Sequence, residues 1–285
     1  MSKKIAIGLG TAALALALCP LAQAQFGSEP TELELVKLND DMYVLSNVFV
    51  PGLVTALITD DGVLLVDDKF EIDHDTIMRL LRTVTDQPVK YVINTHYHGD
   101  HSGGNAKLQA LDAIAVASDD ARARMVAANQ SGLPDMTVSD RAAIFIGGKT
   151  VEIHRVGPAH TGGDIVVLFP DHGVLATGDI FANGPGTSAQ LVDHRGGGSA
   201  KQWPAAVETA LALDFDTVVP GHGLISTRAD LEAYHGRTIR FREVLAELVE
   251  QGRSRGDIEA VVRAEFDWED FHVQSALDGL IDEFR

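Results

Sequence analysis

Short apolar runs separated by turn residues open the body of the chain, at 32–38, 42–49, 53–58 and 63–66. Asp60-Asp61-Gly62 punctuates the last two runs and Pro51-Gly52 precedes the third, so this region reads as an antiparallel meander. From Ile72 the period changes. Ile77, Leu80, Leu81 and Val84 mark one helical face, and an apolar run at 89–93 follows as a buried strand. A short helix near 105–110, a strand at 113–117 and a helix from Asp119, read as its cap, to about Ala128 come next. The turn-rich stretch 129–140 is expected to be loop. Two strands follow, the second at 150–156 after Gly147-Gly148. Further strands at 165–169, 174–177 and 217–219 each adjoin a glycine-flanked polar motif. Helices are expected at about 200–213 and 228–251, with two more between 257 and 284. Trp203, at a helix start, reads as a core anchor. The pattern predicts an α/β protein in which sheets are sandwiched between outer helices and polar loops gather along one edge.

The first two dozen residues follow a different pattern. Lys3 and Lys4 precede an uncharged apolar run at 5–18, and Ala22-Gln23-Ala24 supplies the small-x-small site of a signal peptidase. The expectation is a leader at 1–24, cleaved before Gln25, with export to the periplasm or beyond and no stable membrane anchor thereafter. Cys19 lies inside that leader between Leu18 and Pro20, a poor context for lipid attachment, so the mature chain carries no disulfide or thiolate ligand. The remainder, 25–285, shows no linker that would free a second unit and reads as one domain. The formal net charge of -18 argues against nucleic acid as a partner, leaving a small-molecule substrate. The oligomeric state is left open.

The densest chemistry lies in Thr95-His96-Tyr97-His98-Gly99-Asp100-His101-Ser102, directly after the strand at 89–93. Side chains two apart on an extended segment point the same way, so His96 and His98 can meet one cation. Asp100 and His101 are consecutive and converge only if the backbone turns sharply, a turn that Gly99, Gly103 and Gly104 bracket. These read as two ligand pairs aimed at neighbouring positions, and imidazole with carboxylate suits zinc, iron or manganese. His160, Asp179 and His222, each flanked by glycine or proline after a strand, join them as candidates. His74, His154, His172, His235 and His272 lack such a context and read as structural.

His-x-His-x-Asp-His, a distant His in Gly157-Pro158-Ala159-His160-Thr161, Asp in Thr177-Gly178-Asp179 and His in Pro220-Gly221-His222-Gly223 resemble the metallo-β-lactamase-fold hydrolase superfamily. That resemblance implies a four-layer αββα sandwich and two divalent metal ions, with zinc expected and iron or manganese as alternatives. It assigns His96, His98 and His160 to one metal, Asp100, His101 and His222 to the other, and Asp179 to both. The implied chemistry is attack on an acyl carbon, in an amide, lactam, ester or thioester, by hydroxide bridging the metals. Asp100 is then the catalytic residue that orients the nucleophile and carries its proton. Zinc β-lactamases of the commonest subclass carry Cys where this chain has Asp179, and often Lys where it has Ala182; the Asp resembles glyoxalase II. The expected activity is therefore an exported dinuclear hydrolase with weak or promiscuous lactam cleavage. A glyoxalase II-like thioesterase or lactonase, or a mononuclear iron persulfide dioxygenase, stands as the alternative. Phe49, in an apolar segment that reads as core or as a flap over the site, and Asn183, His194 and Arg195, in the loop after Asp179, are candidate substrate contacts.

Overall fold

The computed structural model describes residues 29–47, 50–184 and 191–285. The leader at 1–24, Cys19 and Phe49 lie outside them. Seven strands form one sheet in sequential order: β1 (Glu34–Lys37), β2 (Met42–Ser46), β3 (Val54–Thr59), β4 (Gly62–Val66), β5 (Val89–Ile93), β6 (Ile114–Ser118) and β7 (Met136–Val138). The first four pair antiparallel as a meander, and β4 to β7 run parallel. The second sheet holds six strands in the order β13-β12-β11-β10-β9-β8, namely β13 (Ser226–Thr227), β12 (Thr217–Gly223), β11 (Val174–Asn183), β10 (Ile165–Phe169), β9 (Lys149–Arg155) and β8 (Arg141–Ile146).

Alternation along each strand sorts the side chains into three cores, which is why four layers form. From β4, Leu64 and Val66 enter the core between the sheets, while Val63 and Leu65 enter an outer core with Ile77 and Leu81 of α1 (His74–Leu81). From β10, Ile165, Val167 and Phe169 face the first sheet. Val166 and Leu168 face the opposite way, into the largest core, beneath α5 (Trp203–Leu211), α6 (Arg228–Glu250), α7 (Arg255–Phe266) and α8 (Asp270–Phe284). Strands buried on both faces read as continuous apolar runs, as these do. The result is an αββα sandwich. Trp203 is 1% exposed within the largest core and donates from Nε1 to Ile180 O at 2.9 Å.

Four local expectations need correction. The stretch 129–140 contains β7, a three-residue strand too short to show a period, paired in parallel with β6. The cap of α4 (Asp119–Ala127) is Ser118, whose Oγ accepts from Ala121 N at 3.1 Å, because Ser118 keeps the extended backbone a cap needs. β11 runs past Thr177 to Asn183, and β12 past Val219 to Gly223. Their pairing shifts register around Gly178, whose φ of 53° suits a bulge, so Asp179 and His222 lie within irregular strand ends and not in loops beyond them.

Candidate metal centre

The sequence-predicted ligands arrive from both sheets at one edge of the sandwich. β5 leads into His96 and His98, and the single turn α2 (Gly99–Ser102), which precedes α3 (Asn105–Gln109), carries Asp100 and His101. His98 O accepts from both His101 N and Ser102 N at 3.0 Å, and this is the sharp turn that brings the consecutive residues inward. The second sheet supplies His160 from the β9–β10 connection, Asp179 from β11 and His222 from β12. Three triads result: His96, His98 and His160; His96, His101 and Asp179; and Asp100, His101 and His222, each with ligand atoms within 4.8 Å of one another.

The hydrogen bonds behind the imidazoles decide what their inward nitrogens are. His98 Nε2 donates to Asp193 Oδ2 at 3.0 Å, His160 Nδ1 donates to Leu191 O at 2.5 Å, and His101 Nδ1 donates to Asp67 Oδ2 at 2.8 Å. In the neutral ring the other nitrogen then carries only a lone pair. Yet His98 Nδ1 lies 2.9 Å from His160 Nε2 and 3.1 Å from His96 Nε2. His101 Nε2 lies 3.3 Å from His222 Nε2. Asp179 reaches both groups, with Oδ2 at 3.4 Å from His160 Nε2 and 3.3 Å from His222 Nε2. Its buried Oδ1 accepts no hydrogen bond among the described residues, although His101 Nε2 is only 3.2 Å away. Lone pairs crowded this closely repel unless positive charge sits between them, so the donor set fits cations.

The titration behaviour divides the site in the same way. Burial pushes His96 well below the usual imidazole range and His160 down to about 4, leaving both neutral and free to ligate. Burial acts on His101 and His222 in the same sense, but Asp179 and Asp100 outweigh it and raise both. Burial likewise opposes ionisation of Asp179, and His222, His101 and His160 outweigh it, holding the carboxyl well below its ordinary range. Protons therefore compete with cations on the Asp100 side of the site.

Several residues that shape the site are not singled out by the sequence reading. Asp67, just past β4, accepts from Thr95 N at 2.7 Å and from Thr95 Oγ1 at 2.8 Å as well as from His101. Its place at the end of an apolar strand was the available clue. Asp193 holds His98, accepts from the Tyr97 hydroxyl and from Gly196 N at 2.8 Å, and is kept ionised by these bonds against the effect of its partial burial. Gly52 lies against the His101 ring so closely that a Cβ there would overlap it, and Gly52 N donates to Asp100 O at 3.3 Å.

The expected substrate contacts Asn183, His194 and Arg195 have these surroundings. The Asn183 side chain is engaged by Ser226 Oγ at 2.8 Å, because the longer β11 carries it into the sheet. His194 turns to α8, with Nε2 donating to Glu283 Oε2 at 3.0 Å. Arg195 is exposed and its carbonyl accepts from Arg124 Nη1 at 2.8 Å.

A family model described as the metallo-beta-lactamase superfamily matches residues 48–222. Among characterised relatives, a hydroxyacylglutathione hydrolase of Methylococcus capsulatus is 32% identical over 45% of this chain, an alignment spanning 46% of that protein, less than half its length. A metallo-beta-lactamase type 2 of Elizabethkingia meningoseptica is 28% identical over 60% of this chain and 72% of its own. Among solved structures, a metallo-beta-lactamase from Pontibacter korlensis superposes with a TM-score of 0.65 at 22% identity, covering 73% of this chain and 99% of that one.

Proposed function

The chain belongs to the metallo-β-lactamase superfamily, and from that premise we propose that it is an exported hydrolase that holds two divalent cations and cleaves an acyl bond. What carries the reading is the convergence of seven side chains from two sheets, with inward ring nitrogens 2.9–3.3 Å apart. His96, His98 and His160 would hold one cation, Asp100, His101 and His222 the other, with Asp179 serving both. Two such ions, zinc or, for an all-nitrogen-and-oxygen donor set, iron or manganese, supply a water of lowered pKa and a Lewis acid for the acyl oxygen.

Asp100 is the residue placed to handle the proton. Its Oδ2 lies 3.5 Å from His222 Nε2 and 3.7 Å from His101 Nε2, and its side chain is 20% exposed at the mouth of the site. A carboxylate so placed orients the attacking water, accepts its proton and returns it to the leaving atom. The net charge of -18 supports a small-molecule substrate over nucleic acid. Among the described residues no helix is long and apolar enough to cross a membrane. Export rests on the leader pattern alone. Asp179, together with the hydroxyacylglutathione hydrolase likeness, favours a thioester as the second reading beside a lactam.

The test is metal content followed by a substrate panel. Purified protein is expected to hold two transition-metal ions per chain and to open a chromogenic cephalosporin, a thioester or a lactone. One iron per chain with oxygen consumption would replace this reading with a persulfide dioxygenase, and absence of bound metal under generous supply would end it. N-terminal sequencing of the periplasmic fraction is expected to begin at Gln25.

A further inference from the structure

We infer that the C-terminal helix α8 is part of the apparatus that holds the first metal position, with Glu283 as a positioning residue acting through the segment 191–201 on His98 and His160. This rests on the metal-binding reading above and adds a regulator of that site that lies beyond the family match, which ends at residue 222.

The segment 191–199 is bound to two of the three ligands. Leu191 O accepts from His160 Nδ1, and Asp193 Oδ2 accepts from His98 Nε2. Its backbone is stitched to the His160 turn as well: Asp193 N donates to His160 O at 2.9 Å, Ser199 N to Ala159 O at 2.9 Å and Gly162 N to Gly196 O at 2.9 Å. At Gly198 a Cβ would collide with His160 O, so the two backbones are in direct contact. A stretch this rich in glycine does not hold such a shape by itself.

Glu283 gathers its far end. Oε1 accepts from Ser199 Oγ at 2.6 Å and Lys201 N at 3.1 Å, and Oε2 accepts from Ala200 N and His194 Nε2, both at 3.0 Å. Four donors on one carboxylate, at 14% side-chain exposure, fix the residues on both sides of the Gly196-Gly197-Gly198 run. The His194 ring also lies against Gly279 of the same helix, where any Cβ would press into it. Neither His194 nor Glu283 is aimed at the metal position. Their effect is to define where Asp193 and Leu191 stand, and hence the angle of two imidazoles.

The experiment measures zinc retention against a chelator in the zinc-loaded full chain for the parent, Glu283→Ala, Asp193→Asn, their double mutant and Arg255→Ala. The last severs the exposed pair between Arg255 of α7 and Asp278 of α8, at 2.6 Å, and controls for general loosening of that helix. Glu283→Ala is expected to release the zinc held by His96, His98 and His160 at roughly 10-fold lower chelator concentration, at the low end of what partners behind a ligand contribute. Arg255→Ala should match the parent, and the double mutant should fall short of the product of the single effects because both act through one segment. Equal release from Glu283→Ala and Arg255→Ala overturns the inference while leaving the metal site standing; a parent that binds no zinc overturns the underlying reading instead. Should Glu283→Ala not fold, His194→Ala, which removes one of the four bonds, takes its place, and zinc release identical to the parent overturns the inference.

Discussion

At the scale of single residues, the site is a matter of which nitrogen faces which. Removing a proposed ligand outright by His160→Ala is expected to lower kcat/KM by more than about 100-fold, since partners one step behind a ligand already contribute 10–100-fold. Metal analysis alongside should show fewer ions per chain; full activity with unchanged metal would remove His160 from the site. A subtler probe is Gly52→Ala, whose new methyl has no room beside the His101 ring. The fold gives that contact no slack, because Gly52 N is tied to Asp100 O and Leu53 N donates to Gly221 O at 2.8 Å. We expect about a 10-fold or greater loss of the second metal's retention, scaled to the same outer-partner effect, and unaltered retention in Gly52→Ala would show that the loop yields. The six-residue crowding from His96 to His101 singled out the candidate ligands from the chain alone, and the fold brings them together. Asp67 and Asp193 were not, since each is one acidic residue among 41 Asp and Glu and acquires its meaning only by meeting an imidazole 34 or 95 positions away.

Among the elements, the connection between β2 and β3 shows how a loop is fastened to a site. Lys69, fully buried after β4, donates from Nζ to Gly52 O at 2.5 Å and to Asn47 Oδ1 at 2.6 Å, and Asn47 Nδ2 donates to Pro51 O at 2.9 Å. Burial pulls the lysine down to about 7, against the opposing pull of Asp73, Asp100 and Asp67. A neutral amine still has two hydrogens for its two acceptors, so the clamp persists after the proton leaves. The unfolded chain releases that proton only near 10.5, so between about 7 and 10.5 it binds more protons than the folded one and stability rises with pH. The slope from this one group is at most about 1.4 kcal/mol per pH unit. Denaturant unfolding of parent and Lys69→Met at pH 7 and pH 9 is expected to show a gain in the parent that the variant lacks; parallel gains in both would refute it. Nothing in the sequence marked Lys69 as buried, because a lysine after two aspartates reads as surface. Strands with both faces covered were easy to read from their apolar runs, whereas β7 and the ends of β11 and β12 were not. Their extent is set by the neighbouring strand's backbone, which no local pattern reports.

For the molecule as a whole, the decisive feature is that the two sheets contribute different halves of one site. His96, His98, Asp100 and His101 follow the seven-stranded sheet, whereas His160, Asp179 and His222 belong to the six-stranded one. Between the sheets the shared core is apolar, with backbone ties such as Leu53 N to Gly221 O and Ile165 N to Thr95 O at its margin, and at the site edge a cation would add a direct tie from one sheet to the other. The groups that such a tie would join face each other there at 2.9 Å for His98 and His160 and 3.5 Å for Asp100 and His222. Metal should therefore stabilise the folded state specifically, because the unfolded chain scatters these ligands over positions 96 to 222. At a free metal concentration 1,000-fold above Kd, linkage gives about 4 kcal/mol. At roughly 2–4 °C per kcal/mol for a chain of this size, the expected rise in Tm is roughly 8–16 °C. Thermal unfolding with and without chelator measures it, and the same experiment on His160→Ala and on His222→Ala separates the two positions. Each variant should lose part of the rise, since each leaves one cation short of a ligand from the six-stranded sheet. A rise that survives intact in both would mean that the metal binds within the His96 to His101 turn alone and does not join the sheets.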